Sequence, residues 1–284
     1  MTNKKMLWAP LPGKHKEFDY DLTSLKKTWS KLHLGDGEDF PDEKRAEHLI
    51  KAAGKAAPKG FNAASLADHL QHAWLAFHRG EFQKAFELGN ELGPCGTSVA
   101  AKAMGIHATY LLKKPAEKME RFELLAQMAE QAIESLPKEA NSYYRFAFGM
   151  GRYSQSISIA KALSMGLAGK VKKALDTCLK LNPKHAEAHL ASALWHAEII
   201  NKVGSTLGSF TYGAKQKLAE EHIKTALKLA PNMPIVHAEH AQMLLLLDED
   251  NEQEAADAFE RASELKPLDA MDFLDGRFAK EQIS

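Results

Sequence analysis

The sequence predicts an all-helical fold built from stacked helical units, and two observations support this. A short sequence motif recurs where predicted helices end. It consists of a small residue, an apolar residue, one or two polar residues and a Leu, and Pro follows at once or one residue later. The copies end at Pro94, Pro137, Pro183, Pro231 and Pro267. A motif that recurs every few tens of residues is typical of helical repeats. Between these prolines, apolar residues recur at the spacings of three and four that indicate helices.

The composition is that of a globular protein and excludes several functional classes. The chain has 284 residues, of which 45% are hydrophobic and 26% charged, so it can bury a core. Lys plus Arg and Asp plus Glu are 37 each, which argues against a nucleic-acid-binding protein and against a polybasic membrane anchor. No run approaches the roughly 20 apolar residues of a membrane helix, and no secretory apolar run follows the first lysines. We expect a soluble, cytoplasmic protein with no membrane or nucleic-acid partner.

The first 60 residues predict a helical extension that precedes the repeats. Clustered Pro and Gly predict irregular structure over residues 1–18. A helix is predicted over 22–34, and a second from Pro41 to about residue 53, because Pro and acidic neighbours favour a first helical turn. A linker at 55–61 would separate this extension from the repeats.

Residues 61–284 predict a second domain of five helix pairs and a C-terminal capping helix. The predicted pairs are 63–78 with 82–92, 98–112 with 116–136, 140–165 with 168–181, 185–200 with 215–229, and 234–247 with 252–265. A last helix over 269–283 would cap the array, because a terminal unit has no neighbour to cover its outer face. Extra length lies inside the repeats, at 112–119, around 149–156 and at 203–213.

Small residues flank a large one, with a Pro following, in the last two units. The fifth unit has Ala255, Phe259, Ala262 and Pro267, and the fourth has Ala219, Ile223, Ala226 and Pro231. Small residues allow two helices to approach closely. This pattern resembles the tetratricopeptide repeat over residues 63–267. A weaker likeness is to bacterial tetratricopeptide proteins with a long Gly-rich loop inside a repeat. The resemblance implies a right-handed α-solenoid of about five repeats, whose first helices line a concave face.

That concave face is the candidate binding groove, and the sequence leaves two interpretations open. The candidates are Leu70, Trp74 and Phe77 from the first unit, Lys102, Ile106 and Tyr110 from the second, Arg152 and Tyr153 from the third, and Glu187, Leu190 and Leu194 from the fourth. A groove that is largely apolar suits a peptide, an amphipathic helix or an apolar small molecule. The other interpretation is that residues 1–60 or the 203–213 segment cover these side chains.

Three functions follow from this groove. The first is a non-catalytic scaffold that binds a protein or peptide and needs no cofactor. The second is a binder or sensor of an apolar small molecule, in which Phe210 and Tyr212 of a loop at 203–213 form a lid. Phosphate binding by that loop is disfavoured, because it lacks Gly-Lys-Ser or Gly-Lys-Thr and no strand precedes it. The sequence also leaves a homodimer open.

The third function is a metal-dependent enzyme. His185, His189 and His196 lie on one face of a predicted helix and could bind zinc. Packed or solvated imidazoles are the favoured interpretation, since the chain has no His-Glu-Xaa-Xaa-His motif. Cys95 has no evident His or Asn partner and Cys178 stands at a packing position, so nucleophilic catalysis is disfavoured as well. We therefore expect no catalytic role.

Overall fold

The structure, a computed structural model, describes residues 6–284 apart from the side chain of residue 249, and its regular elements are helical throughout that range. The prediction of an all-α chain is confirmed. None of the helices within residues 6–284 combines the length and apolar character that a membrane crossing requires. The α-helices are α1 (Leu22–Leu32), α2 (Glu43–Ala53), α3 (Ala63–His78), α4 (Phe82–Glu91), α5 (Thr97–Tyr110), α6 (Pro115–Ser135), α7 (Ala140–Gln155), α8 (Ile159–Ser164), α9 (Leu167–Leu181), α10 (Ala186–Val203), α11 (Ser205–Tyr212), α12 (Gln216–Leu229), α13 (Pro234–Leu247), α14 (Glu252–Glu264) and α15 (Ala270–Gln282).

Local capping explains why several helices begin where the sequence predicts. The Asn62 side chain accepts a hydrogen bond from the backbone N–H of Ser65, and the Ser65 hydroxyl accepts one from Asn62 N. This reciprocal capping box fixes the start of α3. Asp269 caps α15 in a similar way, because its Oδ1 accepts from the N–H of Asp272. Pro234 occupies the first turn of α13, where its missing N–H costs nothing.

The structure differs from the predicted helices at two places. The helix predicted over 140–165 ends at Gln155, and the short α8 follows; Gly166, at a φ of +63°, then starts α9. The predicted loop at 203–213 contains α11, and Gly204 with a φ of +81° separates it from α10. Glycine adopts this left-handed conformation without the strain that a Cβ atom would add. The prediction of a long Gly-rich loop is therefore wrong, because the glycines bound a short helix.

Six helices form a closed row, which we call the helix ring. In chain order they are α3, α5, α7, α10, α13 and α15, and each contacts the next. The last of them, α15, also contacts α3 and α5, which closes the row. The helices α4, α6, α9, α12 and α14 each pack against ring helices that precede or follow them in the chain. The ring positions residues far apart in sequence around one centre.

Small residues allow the ring helices to pack closely. A Cβ atom built on Gly105 of α5 would lie 2.8 Å from Phe148 Cε1 and 2.9 Å from Leu125 Cδ1. A Cβ atom on Gly149 of α7 would lie 2.8 Å from Leu125 Cδ2. Leu125 thus packs between two glycine surfaces where α5, α6 and α7 meet. A larger residue at either glycine would separate these helices.

The N-terminal region folds back onto the ring. Residues 6–15 are irregular as predicted, and a short 3₁₀ turn follows at Lys16–Phe18; the prediction for residues 1–5 lies outside the described residues. Helices α1 and α2 pack on α3, and the loop that joins them, residues 33–42, enters the centre of the ring. We call this segment the inner loop. Buried apolar residues of this region belong to the same core cluster as those of α3 and α15. A domain division at residue 60 stays a prediction.

Candidate ligand-binding site

The inner loop and α1 cover the part of the groove that α3 lines. Trp74 is only 2% exposed, and its ring contacts those of Trp29 and His33 at centroid distances of 5.8 and 4.6 Å. Leu70 and Phe77 are buried as well. Of the two interpretations that the sequence leaves open, burial is the one seen for these three α3 side chains, and Trp29 and His33 of the N-terminal region cover Trp74.

Asp36 of the inner loop is the hub of a buried ionic network. Its Oδ2 atom accepts hydrogen bonds from Lys102 Nζ at 2.6 Å and from Arg145 Nη2 at 2.8 Å. The same cations reach Glu187, at 3.1 Å from Lys102 Nζ and 3.5 Å from Arg145 Nη1. Burial acts to raise the pKa of Asp36, but Lys102, His33 and Arg145 outweigh it and hold that pKa well below its usual value. Two predicted groove residues, Lys102 and Glu187, thus meet in a network that the chain itself completes.

A glycine lets the inner loop approach α10 closely enough for this network. The carbonyl oxygen of Gly35 accepts a hydrogen bond from the backbone N–H of Glu187 at 3.0 Å. A Cβ atom at Gly35 would lie 2.8 Å from both Glu187 Oε1 and Met233 Cε. Any other residue at this position would push the loop away from α10 and from the two cations.

Two histidines extend the network to α15. His33 Nδ1 lies 2.8 Å from Asp36 Oδ1, His33 Nε2 lies 3.2 Å from His78 Nε2, and His78 Nδ1 lies 2.6 Å from Asp269 Oδ2. Burial lowers the pKa of His33 to about 4, so this ring is neutral and donates its one proton to Asp36. His78 lies between His33 and Asp269 and links the network to α15.

A cavity of about 320 Å³ lies on one side of this network. Its walls come from ring helices α5, α7, α10, α13 and α15, and from α8, α9 and α11 outside the ring. Most lining side chains are apolar; they include Phe148, Leu167, Leu190, Leu194, Trp195 and Ile199. Gly151 of α7 also lines the cavity, and a Cβ atom there would meet nothing within 4 Å. The cavity is thus open space beside a helix backbone.

The end of the cavity between α13 and α15 is polar. Tyr110 donates its hydroxyl hydrogen to Asp275 Oδ1, and Arg152 Nη2 donates to Glu239 Oε1 at 3.1 Å. The second carboxyl oxygens, Asp275 Oδ2 and Glu239 Oε2, are buried and have no hydrogen-bond partner among the described residues. Burial raises the pKa of Asp275 well above its usual value and also raises that of Glu239, although Arg152 opposes the second shift. Two buried carboxyl groups therefore belong to the cavity wall, and each has one oxygen without a partner among the described residues.

Several predicted groove residues do line this cavity together. They are Ile106, Tyr110, Arg152, Glu187, Leu190 and Leu194. Tyr153, in contrast, is buried in a separate cluster with Leu112 and Phe122. Tyr212 lines the cavity from α11, but Phe210 points to solvent with 92% of its surface exposed. The prediction that Phe210 and Tyr212 form a lid is therefore wrong for Phe210.

Sequence reasoning missed the contributions of α13 and α15. Glu239, Met271 and Asp275 line the cavity, although α15 was expected only to cap the array. One signal was present: Asp269, Asp272 and Asp275 recur every three residues, and all three are buried. Carboxyl groups on the buried face of a helix need partners or a function, so this spacing could have identified that face.

The histidine cluster is dispersed into separate hydrogen bonds. His185 contacts Asn141 Oδ1 at 2.8 Å and accepts from the N–H of Ala188. His189 contacts His222, and His196 accepts from the backbone N–H of Lys215, just before α12. Burial lowers the pKa of His185 and of His196 to about 4. Within residues 6–284, no group of three or more His, Cys, Asp or Glu side chains is placed to hold a metal ion.

The two cysteines are buried and unpaired, and neither lines the cavity. Burial raises the pKa of the Cys95 thiol to about 11 and that of Cys178 to about 12. Because the thiolate is the reactive form, both thiols are poor nucleophiles. A comparison of the whole chain with models of protein families and with curated proteins finds no match in either.

Proposed function

We propose that this protein is a non-catalytic binder of a small, mainly apolar molecule, held in the cavity inside the helix ring. The supporting observation is the cavity itself, about 320 Å³ of space with apolar walls and a few polar groups at one end. Small-molecule sites have volumes of about 300–1,000 Å³ and this kind of lining. The buried α3 aromatics favour this function over a peptide groove that runs the length of the array.

The make-up of the described cavity wall supports a binding role without catalysis. No histidine or cysteine of residues 6–284 lines the cavity, and its buried carboxyls Asp275 and Glu239 are hydrogen-bonded to Tyr110 and Arg152. Histidine is the commonest general acid–base residue and cysteine a strong nucleophile. The cavity walls instead provide shape and apolar surface.

We also propose that the fold is a tetratricopeptide-like solenoid whose ends meet. Ring helices alternate along most of the chain with helices that pack outside the ring. Small residues lie at the expected helix contacts, since Ala73, Ala193 and Ala241 are fully buried and Gly105 has no room for a Cβ atom. An experimental structure that shows a regular superhelical rotation from pair to pair would test this assignment.

The cavity proposal is tested by filling the cavity from Gly151. Gly151→Leu places an apolar side chain into open space without changing a packed contact. Decanol is the probe, and its binding is measured by isothermal titration calorimetry. The wild type is expected to bind one molecule, and Gly151→Leu to bind none. Gly169→Leu is the matched control, because Gly169 also lies in a helix with free space around it but does not line the cavity. Equal binding of decanol by the wild type and Gly151→Leu would contradict the proposal.

A protein partner is the second candidate, and exposed apolar side chains on α8 and α11 favour it. Leu207 and Phe210 of α11 are 53% and 92% exposed, and Ile159 and Leu163 of α8 are largely exposed too. Exposed apolar side chains of this kind mark contact surfaces. The partner would be a second copy of the chain or another protein. Sedimentation velocity of the wild type and Phe210→Ser tests the first option: a dimer that Phe210→Ser dissociates supports it, and a wild-type monomer at high concentration excludes it.

A further inference from the structure

We infer that the face of the protein around the cavity mouth docks on the surface of an anionic lipid bilayer. The inference goes beyond the proposed function, because docking requires no molecule in the cavity. Two observations carry it. Exposed apolar side chains are concentrated on two short helices beside the mouth, and the segments that contain these helices carry only positive charge.

The mouth of the cavity lies between α8 and the C-terminal ends of α7 and α10. Four of the residues that line the cavity are exposed, namely Gln155, Ile159, Leu163 and Lys202. Gln155 ends α7 and donates from its amide Nε2 to Glu198 of α10, so these two helix ends lie side by side. Lys202 donates to the same Glu198 at 3.1 Å. Solvent therefore reaches the cavity wall at this corner of the molecule.

Helix α11 lies beside the same mouth. It starts three residues after Lys202, and its 8 residues span only about 12 Å at about 1.5 Å per residue. Tyr212, at its other end, lines the cavity and also a second pocket, which it shares with Lys172 of α9. Helices α8 and α11 and the start of α9 thus surround the mouth. We call the exposed residues of segments 156–175 and 199–219 the mouth face.

The mouth face exposes many large apolar side chains. Ten such side chains are exposed among the described residues, and five of them lie here: Ile159, Leu163, Met165, Leu207 and Phe210. Phe210 is the most exposed, at 92%. Exposed apolar surface of this kind marks a contact with a protein or a membrane. Helices that bind in the interfacial region of a bilayer bury such side chains at the boundary of the acyl chains.

The charges of the mouth face select an anionic bilayer. The whole chain has no net charge, but the two segments of this face contain seven lysines and no Asp or Glu. Three of these lysines, at 172, 202 and 217, pair with a carboxylate on their own helix. The other four have no ion-pair partner among the described residues; they are Lys161, Lys170, Lys173 and Lys215. Each lysine beside an anionic membrane surface strengthens binding several-fold. The expectation of no membrane partner rested on net charge, which hides this uneven distribution.

A second copy of the chain fits the mouth face less well than a bilayer does. In a two-fold symmetric dimer the same face contacts itself, so the lysines of one copy would lie opposite those of the other. Like charges that meet across an interface weaken it. An anionic bilayer instead offers acyl chains to Phe210 and Leu207 and phosphate groups to the lysines. Docking also places the cavity mouth against lipid, where apolar molecules accumulate.

Vesicle flotation with the full chain tests the inference. One set of vesicles is phosphatidylcholine alone, and the other contains roughly 30% phosphatidylglycerol as the anionic lipid. We expect the wild type to bind the mixed vesicles at least about tenfold more tightly than the neutral ones. This preference should disappear when salt is raised from about 0.1 M to about 1 M, because the Debye length falls from about 10 Å to about 3 Å.

Phe210→Ser tests the apolar part of the mouth face. The side chain is almost fully exposed, so the fold is expected to persist. Binding to the mixed vesicles should weaken about tenfold or more, because the variant has no Phe side chain to bury in lipid. Ile283→Ser is the matched control, since Ile283 is 42% exposed but follows α15 outside the mouth face. It should bind as the wild type does.

Lys170→Glu combined with Lys173→Glu tests the basic part. Both lysines are exposed near the start of α9, where acidic side chains are favourable, so the fold is again expected to persist. Binding to the mixed vesicles should weaken at least about tenfold. Lys55→Glu combined with Lys59→Glu is the matched control, because both lysines are exposed and lie after α2, which packs on α3.

The outcomes separate docking from the function proposed for the cavity. Equal binding to neutral and mixed vesicles, or no binding to either, would overturn the inference. Unchanged binding in both Phe210→Ser and the Lys170 and Lys173 double variant would overturn it too. A wild-type dimer that Phe210→Ser dissociates, with no vesicle binding, would assign the mouth face to a second copy. Calorimetry with decanol uses no vesicles, so a failure of docking leaves the result for the cavity unchanged.

Discussion

The buried ionic network around Asp36 and the polar end of the cavity each contain a buried aspartate. The two carboxyl groups differ in the side chains that surround them. Asp36 and Asp275 are both carboxyls with almost no exposed surface. The chain surrounds Asp36 with Lys102, Arg145 and His33, whereas Asp275 receives one hydrogen bond from Tyr110 and no cation. As a result, the pKa of Asp36 lies well below the usual value and that of Asp275 well above it.

This difference follows from the groups that surround each carboxyl. An ionised carboxylate is tolerated in a protein interior when cations and hydrogen bonds compensate it, and the chain meets that condition for Asp36. Asp275 lacks this compensation, and burial raises its pKa.

Removing the Asp36 charge from the buried ionic network should have the largest effect on stability. Asp36→Asn removes the hub charge and leaves Lys102 and Arg145 buried with too little compensation. Loss of one partner from a buried ion network costs about 3–5 kcal/mol, so we expect the free energy of unfolding to fall by about that amount. Urea denaturation followed by circular dichroism measures it. Asp39→Asn is the control, because Asp39 lies in the same inner loop but is exposed, and should change stability by less than about 0.5 kcal/mol. Similar stability in both variants would mean that the network contributes little.

The buried aspartates of α15 and Asp36 of the inner loop should respond to pH in opposite directions. Burial, together with the charge of Asp269, raises the pKa of Asp272 from 3.8 to about 8. Between these values the unfolded chain is ionised at this position and the folded chain holds the proton. Folding thus binds a proton, and this group lowers stability by up to about 1.4 kcal/mol per pH unit as pH rises. Asp275 acts with the same sign. The pKa of Asp36 is lowered, so its contribution is present above 3.8 and is lost only as pH falls further.

Denaturation at pH 5 and pH 7 measures this contrast. Buried histidines such as His33, His185 and His196, whose pKa values are lowered to about 4, add stability as pH rises, and they do so equally in every variant. Relative to the wild type, Asp272→Asn and Asp275→Asn should therefore each become more stable between pH 5 and pH 7. The exposed Asp257→Asn should behave as the wild type. Identical pH dependence in all four proteins would show that Asp272 and Asp275 are ionised in the folded state at both pH values, contrary to their raised pKa.

The sequence predicts the bounds of some helices and misses those of others. Helices α3 and α13 begin and end as predicted, because apolar spacing, the Asn62 cap and Pro234 are local signals. The break after Gln155 and the short α11 were missed, because a helix of one or two turns has too few apolar positions to show a period.

The cavity depends on contacts between distant parts of the chain. Tyr110 and Asp275 are separated by 165 residues, and Trp74 is buried by residues of the inner loop and α1. Helical periodicity predicts which face of α3 is apolar, but it does not reveal whether solvent, a ligand or another part of the chain covers that face. The sequence therefore predicted six cavity residues on ring helices and missed the carboxyls on α13 and α15 that give the cavity its polar end.

The smallest expected effect compares two glycines of the ring, one packed and one facing the cavity. Gly105→Ala places a Cβ atom within 3 Å of Phe148 and Leu125, so it should destabilise the fold by about 1–3 kcal/mol. Gly151→Ala meets no atom within 4 Å, and Ala is favoured over Gly inside a helix, so it should stabilise the fold by about 0.5–1 kcal/mol. Urea denaturation of both variants measures the difference. Destabilisation by Gly151→Ala would mean that the space beside α7 is packed in solution. That result would contradict both the cavity and the ligand proposed for it.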